Sequence, residues 1–244
     1  MSALPGGVSV SHLRVYDWPA PDGVGRAGSG SPHLHVASSE AYVVLGGSGS
    51  VHTIGPAGFS VHPLTPGTIV SFGPGVVHRA VNDGDLEVLV LMSNAGLPEA
   101  GDAVLTFPSA VLADPAAYRE AASLPTPASG ASDDEIAAAA RRRRDLALEG
   151  YAELGAAVDR LGPAALRPWH DAAARLVRML VPHWQDVWTR SVYAQTQATA
   201  SALEGLIRGV APHLAGGSVT ATAAAAPPRR YGMCGRLQTW PTSP

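Results

Sequence analysis

Apolar and polar positions change their rhythm once along the chain. Over residues 8–92 the apolar positions come in short β-prone runs, at 13–16, 33–37, 41–45, 50–54, 68–72, 77–81 and 86–92. Gly46-Gly47, Thr65-Pro66-Gly67, Gly73-Pro74-Gly75 and Asn82-Asp83-Gly84 supply turn signals between several of them. Many short strands at regular spacing predict a barrel or sandwich.

Beyond residue 98 the period lengthens to that of a helix. Asp114-Pro115 reads as an N-cap followed by proline at the first helical position, opening a short helix through about residue 122. A linker rich in Pro, Ser and Ala spans 125–131, and Ser132 with Glu135 then forms a capping box. The helix it starts runs to about Leu161, with Leu154, Val158 and Leu161 on one face. Gly162-Pro163 separates it from a helix reaching Val181, with Pro168 in its first turn and a stripe of Trp169, Ala173, Leu176 and Leu180. Pro182 kinks that helix or starts another, whose core candidates are Trp184, Val187, Trp188 and Ala194 and which ends near Gly209. Residues 214–230 are rich in Ala, Gly, Pro and Thr, and 231–240 are apolar enough to dock.

The expected plan is therefore mainly β plus α: a β-barrel over 1–98, a linker with a short helix over 99–131, a helical bundle over 132–213, and a flexible tail with a docking segment over 214–244. No internal repeat is visible. The apolar stripes of the helical half must be buried, as an autonomous packing unit or as a homodimer surface.

Composition narrows the chemistry. All 17 basic residues are arginine, so lysine Schiff bases and Walker-type phosphate loops are excluded. Cys234 is the single cysteine, which excludes an intrachain disulfide and a thiolate zinc cluster. A net charge of −3 spread over both signs points to neither nucleic acid nor an anionic membrane. No apolar run approaches the roughly 20 residues of a membrane helix, and the first ten residues lack the basic flank and apolar core of a secretory signal. A cytoplasmic location is the expectation.

His33-Leu34-His35 places two imidazoles on one face of a strand, because side chains alternate with period 2. Glu40 opens the next strand, and His78, after the Gly73-Pro74-Gly75 turn, offers a third imidazole from across the barrel. Three imidazoles and a carboxylate suit one divalent transition metal (Fe, Mn, Ni, Co, Cu or Zn) and leave coordination positions open. These residues resemble the two linked motifs of the cupin superfamily. The first is matched by His33, His35, Glu40 and Gly47, with Ala27 where its opening glycine belongs and Gly28 next. The second is matched by Gly67, Gly75, His78 and Asn82, with Gly73 in the proline's place and Pro74 one step later. The resemblance implies an N-terminal cupin jelly-roll barrel with the metal near one mouth, held by His33, His35, Glu40 and His78. It also implies a quercetin-dioxygenase-like arrangement in which Glu40 serves as a base.

Weaker signals fall to simpler explanations. Gly23-Val24-Gly25-Arg26-Ala27-Gly28 spells a dinucleotide fingerprint, but no helix can follow it before His33, so it reads as a loop. Tyr42 lies two residues beyond Glu40, on the same side of a regular strand, where it either donates a proton to substrate or fills the barrel. Arg141 to Arg144 point around a helix already rich in acids, with Arg141 and Asp145 at i, i+4 spacing, and read as a solvated face. Cys234 reads as a packed or exposed thiol. The expected function is a metal-dependent enzyme, oxygenase-like, acting on a small organic molecule, with Glu40 and Tyr42 as catalytic residues. The alternative is a non-catalytic small-molecule-binding or sensor module.

Overall fold

In the computed structural model, which describes residues 4–240, eight strands precede the helices. They are β1 (Ser9–Val15), β2 (Gly28–Ser29), β3 (His33–His35), β4 (Glu40–Gly55), β5 (Gly58–Leu64), β6 (Ile69–Phe72), β7 (Val77–Met92) and β8 (Ala103–Leu105). Six α-helices follow: α1 (Ser109–Leu112), α2 (Pro115–Ala122), α3 (Asp133–Leu161), α4 (Leu166–Val177), α5 (Val181–Trp188) and α6 (Ala194–Ile207). The chain then returns to the sheet with β9 (Arg230–Tyr231) and β10 (Gly235–Thr239). Residues 241–244 of the expected tail lie outside the described residues.

β4 and β7 are the frame. They pair antiparallel along their whole length, from Glu40 opposite Met92 to Ile54 opposite Val77. β5 and β6 flank β4, while β1 flanks the far half of β7 and is itself covered by β10. Two of the expected turns, Gly46-Gly47 and Asn82-Asp83-Gly84, are not turns. They face each other as irregularities inside these two strands, with Gly46 opposite Glu87, Ser48 opposite Gly84 and Gly49 opposite Asn82. The register moves by one residue across this zone, so Tyr42 and Val44 face the barrel interior before it and Val51 faces inward after it. Each long strand therefore reads in sequence as two short ones, because its alternation breaks where it bends. Gly47 sits at φ +73°, and a Cβ there would collide with the Asp85 carbonyl.

The sheet also extends past the segment expected to form it. β8 pairs with β3, placing Ala103 opposite His35, and β10 adds itself antiparallel to β1. Neither was visible in sequence. β8 has only three residues, and β10 is separated from the barrel by more than a hundred residues of helix and linker.

The helices close as their caps dictate. Asp114 caps α2, and Ser132 with Glu135 forms the capping box that opens α3. One apolar core fills the barrel, with Leu13, Tyr42, Val44, Val51, Leu64, Phe72 and Leu86 among its members. A second lies between barrel and helices, where Leu34, Ile54 and Val77 meet Phe107, Leu154, Val158, Leu166 and Trp184. Several expected core positions are instead exposed. Leu161 is the last residue of α3 and Leu180 follows the end of α4, while Trp188 stacks on Tyr193 at the surface and Ala194 lies exposed beside them.

The arginine run departs furthest from expectation. Arg144 is 1% exposed and donates to the carbonyls of Trp18, Pro19 and Ser29 and to Asp145, which therefore partners Arg144 and not Arg141. Arg143 donates to the carbonyls of Ala122 and Gly232, and Arg141 lies over the Trp18 ring. α3 packs against the loop between β1 and β2, whose unpaired carbonyls need donors when buried. Only Arg142 and, in part, Arg141 remain the solvated face expected.

Candidate metal centre

Three strands bring the four residues together. His33 and His35 project from the same side of β3, and His33 is the register partner of His78 on β7, so their rings meet edge-on with centroids 4.2 Å apart. Glu40 begins β4 on the inward phase it shares with Tyr42 and Val44. One donor atom from each of His33, His35, Glu40 and His78 lies within 4.8 Å of the others. All four residues are buried, His35 being the most exposed at 8%.

Hydrogen bonding sets the tautomers. The Nδ1 of His33 lies 2.9 Å from the Ser31 carbonyl, that of His78 lies 3.1 Å from the Val76 carbonyl, and that of His35 lies 2.6 Å from Asp102 Oδ1. Carbonyl and carboxylate oxygens only accept, so each Nδ1 carries a proton, and each Nε2 presents a lone pair whenever its ring is neutral. The Nε2 atoms converge. Those of His35 and His78 are 3.1 and 3.0 Å from Glu40 Oε2, and His78 Nε2 is 3.1 Å from His33 Nε2. Glu40 Oε2 is nevertheless buried without a hydrogen-bond partner, since the contacts lack hydrogen-bond alignment. Donor atoms gathered this way need positive charge among them, which a proton on His35 supplies in part and a divalent transition metal supplies fully, so the residues present fit such a metal.

The charges of His33 and Glu40 agree with that fit, while His35 holds a proton that a metal would have to displace. Burial, reinforced by His78 and His35, holds His33 well below the usual histidine range, which keeps it neutral. Burial would raise Glu40, but the His78 and His35 imidazoles outweigh it and hold the carboxyl below its usual range. Burial would lower His35, but the Asp102 and Glu40 carboxylates outweigh it and push it up to about 9.

Around the centre the interior is filled. The Phe72 ring is 4.1 Å from that of His78, and the Tyr42 ring, 6.5 Å from His78, packs edge-on against Phe72. The Tyr42 hydroxyl points to Cys234 Sγ at 3.9 Å, and Cys234 Sγ is 3.9 Å from His33 Nδ1. The thiol thus meets His33 on its protonated edge, away from the converging Nε2 atoms. Burial pushes Cys234 up to about 12, and burial with Cys234 and Glu40 raises Tyr42 well above its usual range, so both keep their protons.

Two of these neighbours escaped sequence reasoning. Asp102 is fully buried and also accepts from the Ser38 N–H at 2.9 Å, yet it lies 67 residues from His35 in an ordinary Gly-Asp pair. Cys234 arrives on the tail, where only the apolar character of 231–240 hinted at docking; Gly30 leaves it room, since a Cβ there would collide with it. The other barrel histidines lie elsewhere. His12 pairs with Glu87, His62 with Thr53, and His52 packs edge-on against Phe59. No helix among the described residues is long and apolar enough to cross a membrane.

Comparison with known proteins now adds a family. Residues 24–94 match the model of the cupin domain. None of the curated proteins matches the chain. Among solved structures, Streptomyces Pac13, described as a nucleoside dehydratase, is similar at 16% identity over 42% of this chain and 70% of its own, with a TM-score of 0.30. A conserved protein with a double-stranded β-helix domain from Klebsiella pneumoniae is similar at 25% identity over 36% of this chain and 69% of its own, with a TM-score of 0.25. The capsular polysaccharide assembling protein CapF of Staphylococcus aureus is similar at 19% identity over 38% of this chain and 23% of its own, with a TM-score of 0.26. With both motifs on neighbouring strands of one antiparallel sheet, the N-terminal part of this chain has a cupin fold, and residues 24–94 match the cupin-domain model.

Proposed function

We propose that the chain is a metal-dependent cupin enzyme, oxygenase-like in chemistry, that acts on a small organic molecule. His33, His35, Glu40 and His78 would hold one divalent transition metal. The observation that carries this reading is the convergence of four buried donor atoms within 4.8 Å, with Glu40 Oε2 left without a hydrogen-bond partner. Such an ion, when bound, supplies Lewis-acid and redox chemistry at its open positions. The chain's own residues supply the setting. Tyr42 keeps its proton, so its hydroxyl is available as a donor, and the buried Phe72 and Val44 side chains make its surroundings apolar. Glu40 stays ionised, as a ligand or base must.

A second reading, a non-catalytic binding or sensor module, is favoured by one feature. His33, Glu40 and His78 are each at most 5% exposed, and Tyr42, Phe72 and Cys234 already occupy the space beside them. Elemental analysis of the purified chain tests the common part of both readings. About one transition metal per chain is expected, with most of it lost in His35→Ala and in His78→Ala while the sheet's circular dichroism persists. Wild-type metal content in both variants would remove the site assignment. Oxygen consumption or loss of an added small organic compound supports the enzyme; saturable binding with no product supports the module.

A further inference from the structure

We propose that Asp102 is a positioning residue for the metal centre, fixing His35 as a ligand through Nε2, and that the helical half reaches the centre through it. This rests on the metal-binding reading above. The three imidazoles are not held alike. His33 and His78 find their Nδ1 acceptors two residues away, in carbonyls of their own strand segments, whereas His35 depends on a side chain brought in from 67 residues away. That side chain is itself tied down. Asp102 Oδ2 accepts from Ser38 N–H, its carbonyl accepts from Val36 N–H at 3.0 Å, and its own N–H donates to the Leu97 carbonyl. The carboxylate therefore has one oxygen committed to the backbone beside His35 and the other to the ring.

The helices hold the segment that carries Asp102. Trp184 on α5 donates its indole N–H to the Ala100 carbonyl at 3.0 Å, and Leu180 packs beside Gly101. On the other side of His35, the Gly75 N–H donates to the His35 carbonyl, and the Gly75 carbonyl pairs with His170 Nε2 on α4 at 2.9 Å. Both flanks of this one ligand are therefore pinned by helical residues.

Asparagine at position 102 breaks the arrangement in a defined way. Its amide oxygen must still accept from Ser38 N–H, so its NH2 turns to His35 Nδ1 and forces the ring's proton onto Nε2. Asp102→Asn, Trp184→Phe, His35→Ala and the wild-type chain would be titrated with Zn2+ alone, and the imidazole N–H groups of each Zn2+-loaded protein read by 1H–15N NMR. Asp102→Asn is expected to weaken Zn2+ binding about 10–100-fold and to abolish the His35 Nδ1–H signal while those of His33 and His78 remain. Trp184→Phe, which keeps an aromatic ring but loses the N–H, should weaken binding less and broaden only the His35 signal. It carries the test if Asp102→Asn does not fold. Wild-type affinity and an unmoved His35 signal in either folded variant, beside loss of binding in His35→Ala, would overturn the positioning role alone. Equal disturbance of all three histidines would overturn it too, as a general loosening of the fold. A wild-type chain that takes up no Zn2+ overturns the metal-binding reading itself.

Discussion

His35 carries two opposing demands. In the metal-free chain the Asp102 and Glu40 carboxylates outweigh burial and push it up to about 9, so near neutral pH it holds a proton on the nitrogen that a metal would use. His33 is held neutral and Glu40 ionised, so neither adds a proton to be displaced over the same range. Metal binding must therefore expel one proton from His35. Between pH 7 and about 9, apparent affinity should rise roughly tenfold per pH unit and then level off, because the competing proton is already gone. Competition titrations with a chelator across that range would check this; an affinity flat from pH 7 to 9 would mean that His35 carries no competing proton in the metal-free chain. The sign also bears on stability without metal. His35 contributes stability that is fully present below its unfolded value of about 6.5, and that contribution is lost as pH rises through about 9.

At the scale of elements, a close approach decides more than propensity. Gly150 lies in the middle of α3, where alanine ordinarily stabilises a helix by about 1 kcal/mol. Here α3 crosses the chain just beyond β8, and a Cβ at Gly150 would collide with backbone atoms of Thr106 and Phe107, which no side-chain rotation relieves. Thr106 Oγ1 also donates to the Ala147 carbonyl at 2.9 Å, fixing that crossing. Gly150→Ala should therefore destabilise the protein, by about 1–3 kcal/mol as overpacking does, and lower its thermal midpoint. An unchanged or raised midpoint would show that the helix sits further from the sheet. The same scale explains what could be read from the sequence. Caps and period-2 spacing are local, so α2, α3 and the His33, His35 pair can be read from the residues themselves. Continuity of a bent strand is not local: β4 and β7 each lose their alternation at a glycine-containing irregularity and look like two strands and a turn. The burial of Arg144 is not local either, because it depends on which unpaired carbonyls of residues 18–29 the helix happens to cover.

For the whole molecule, the barrel is not finished where its motifs end. The core beneath the helices takes Leu34, Ile54 and Val77 from the sheet and Phe107, Leu154, Val158 and Trp184 from the C-terminal half of the chain, with no break between them. Cutting the chain after Leu97 would bare those three sheet residues and leave Ser29, Trp18 and Pro19 without the Arg144 donor. It would also remove β8 from the edge of β3 and β10 from the edge of β1, exposing unpaired strand edges that invite self-association. Asp102 would go as well, taking the Nδ1 partner of His35 with it. The 1–97 fragment should thus be aggregation-prone or change its assembly state relative to the full chain, and any soluble fraction should bind Zn2+ more weakly than the intact protein. Size-exclusion chromatography with light scattering, followed by Zn2+ titration of the soluble peak, measures both. A fragment of unchanged solubility, assembly state and Zn2+ affinity would mean that the helical half is an appendage, and that the four ligands need only their own three strands to hold a metal.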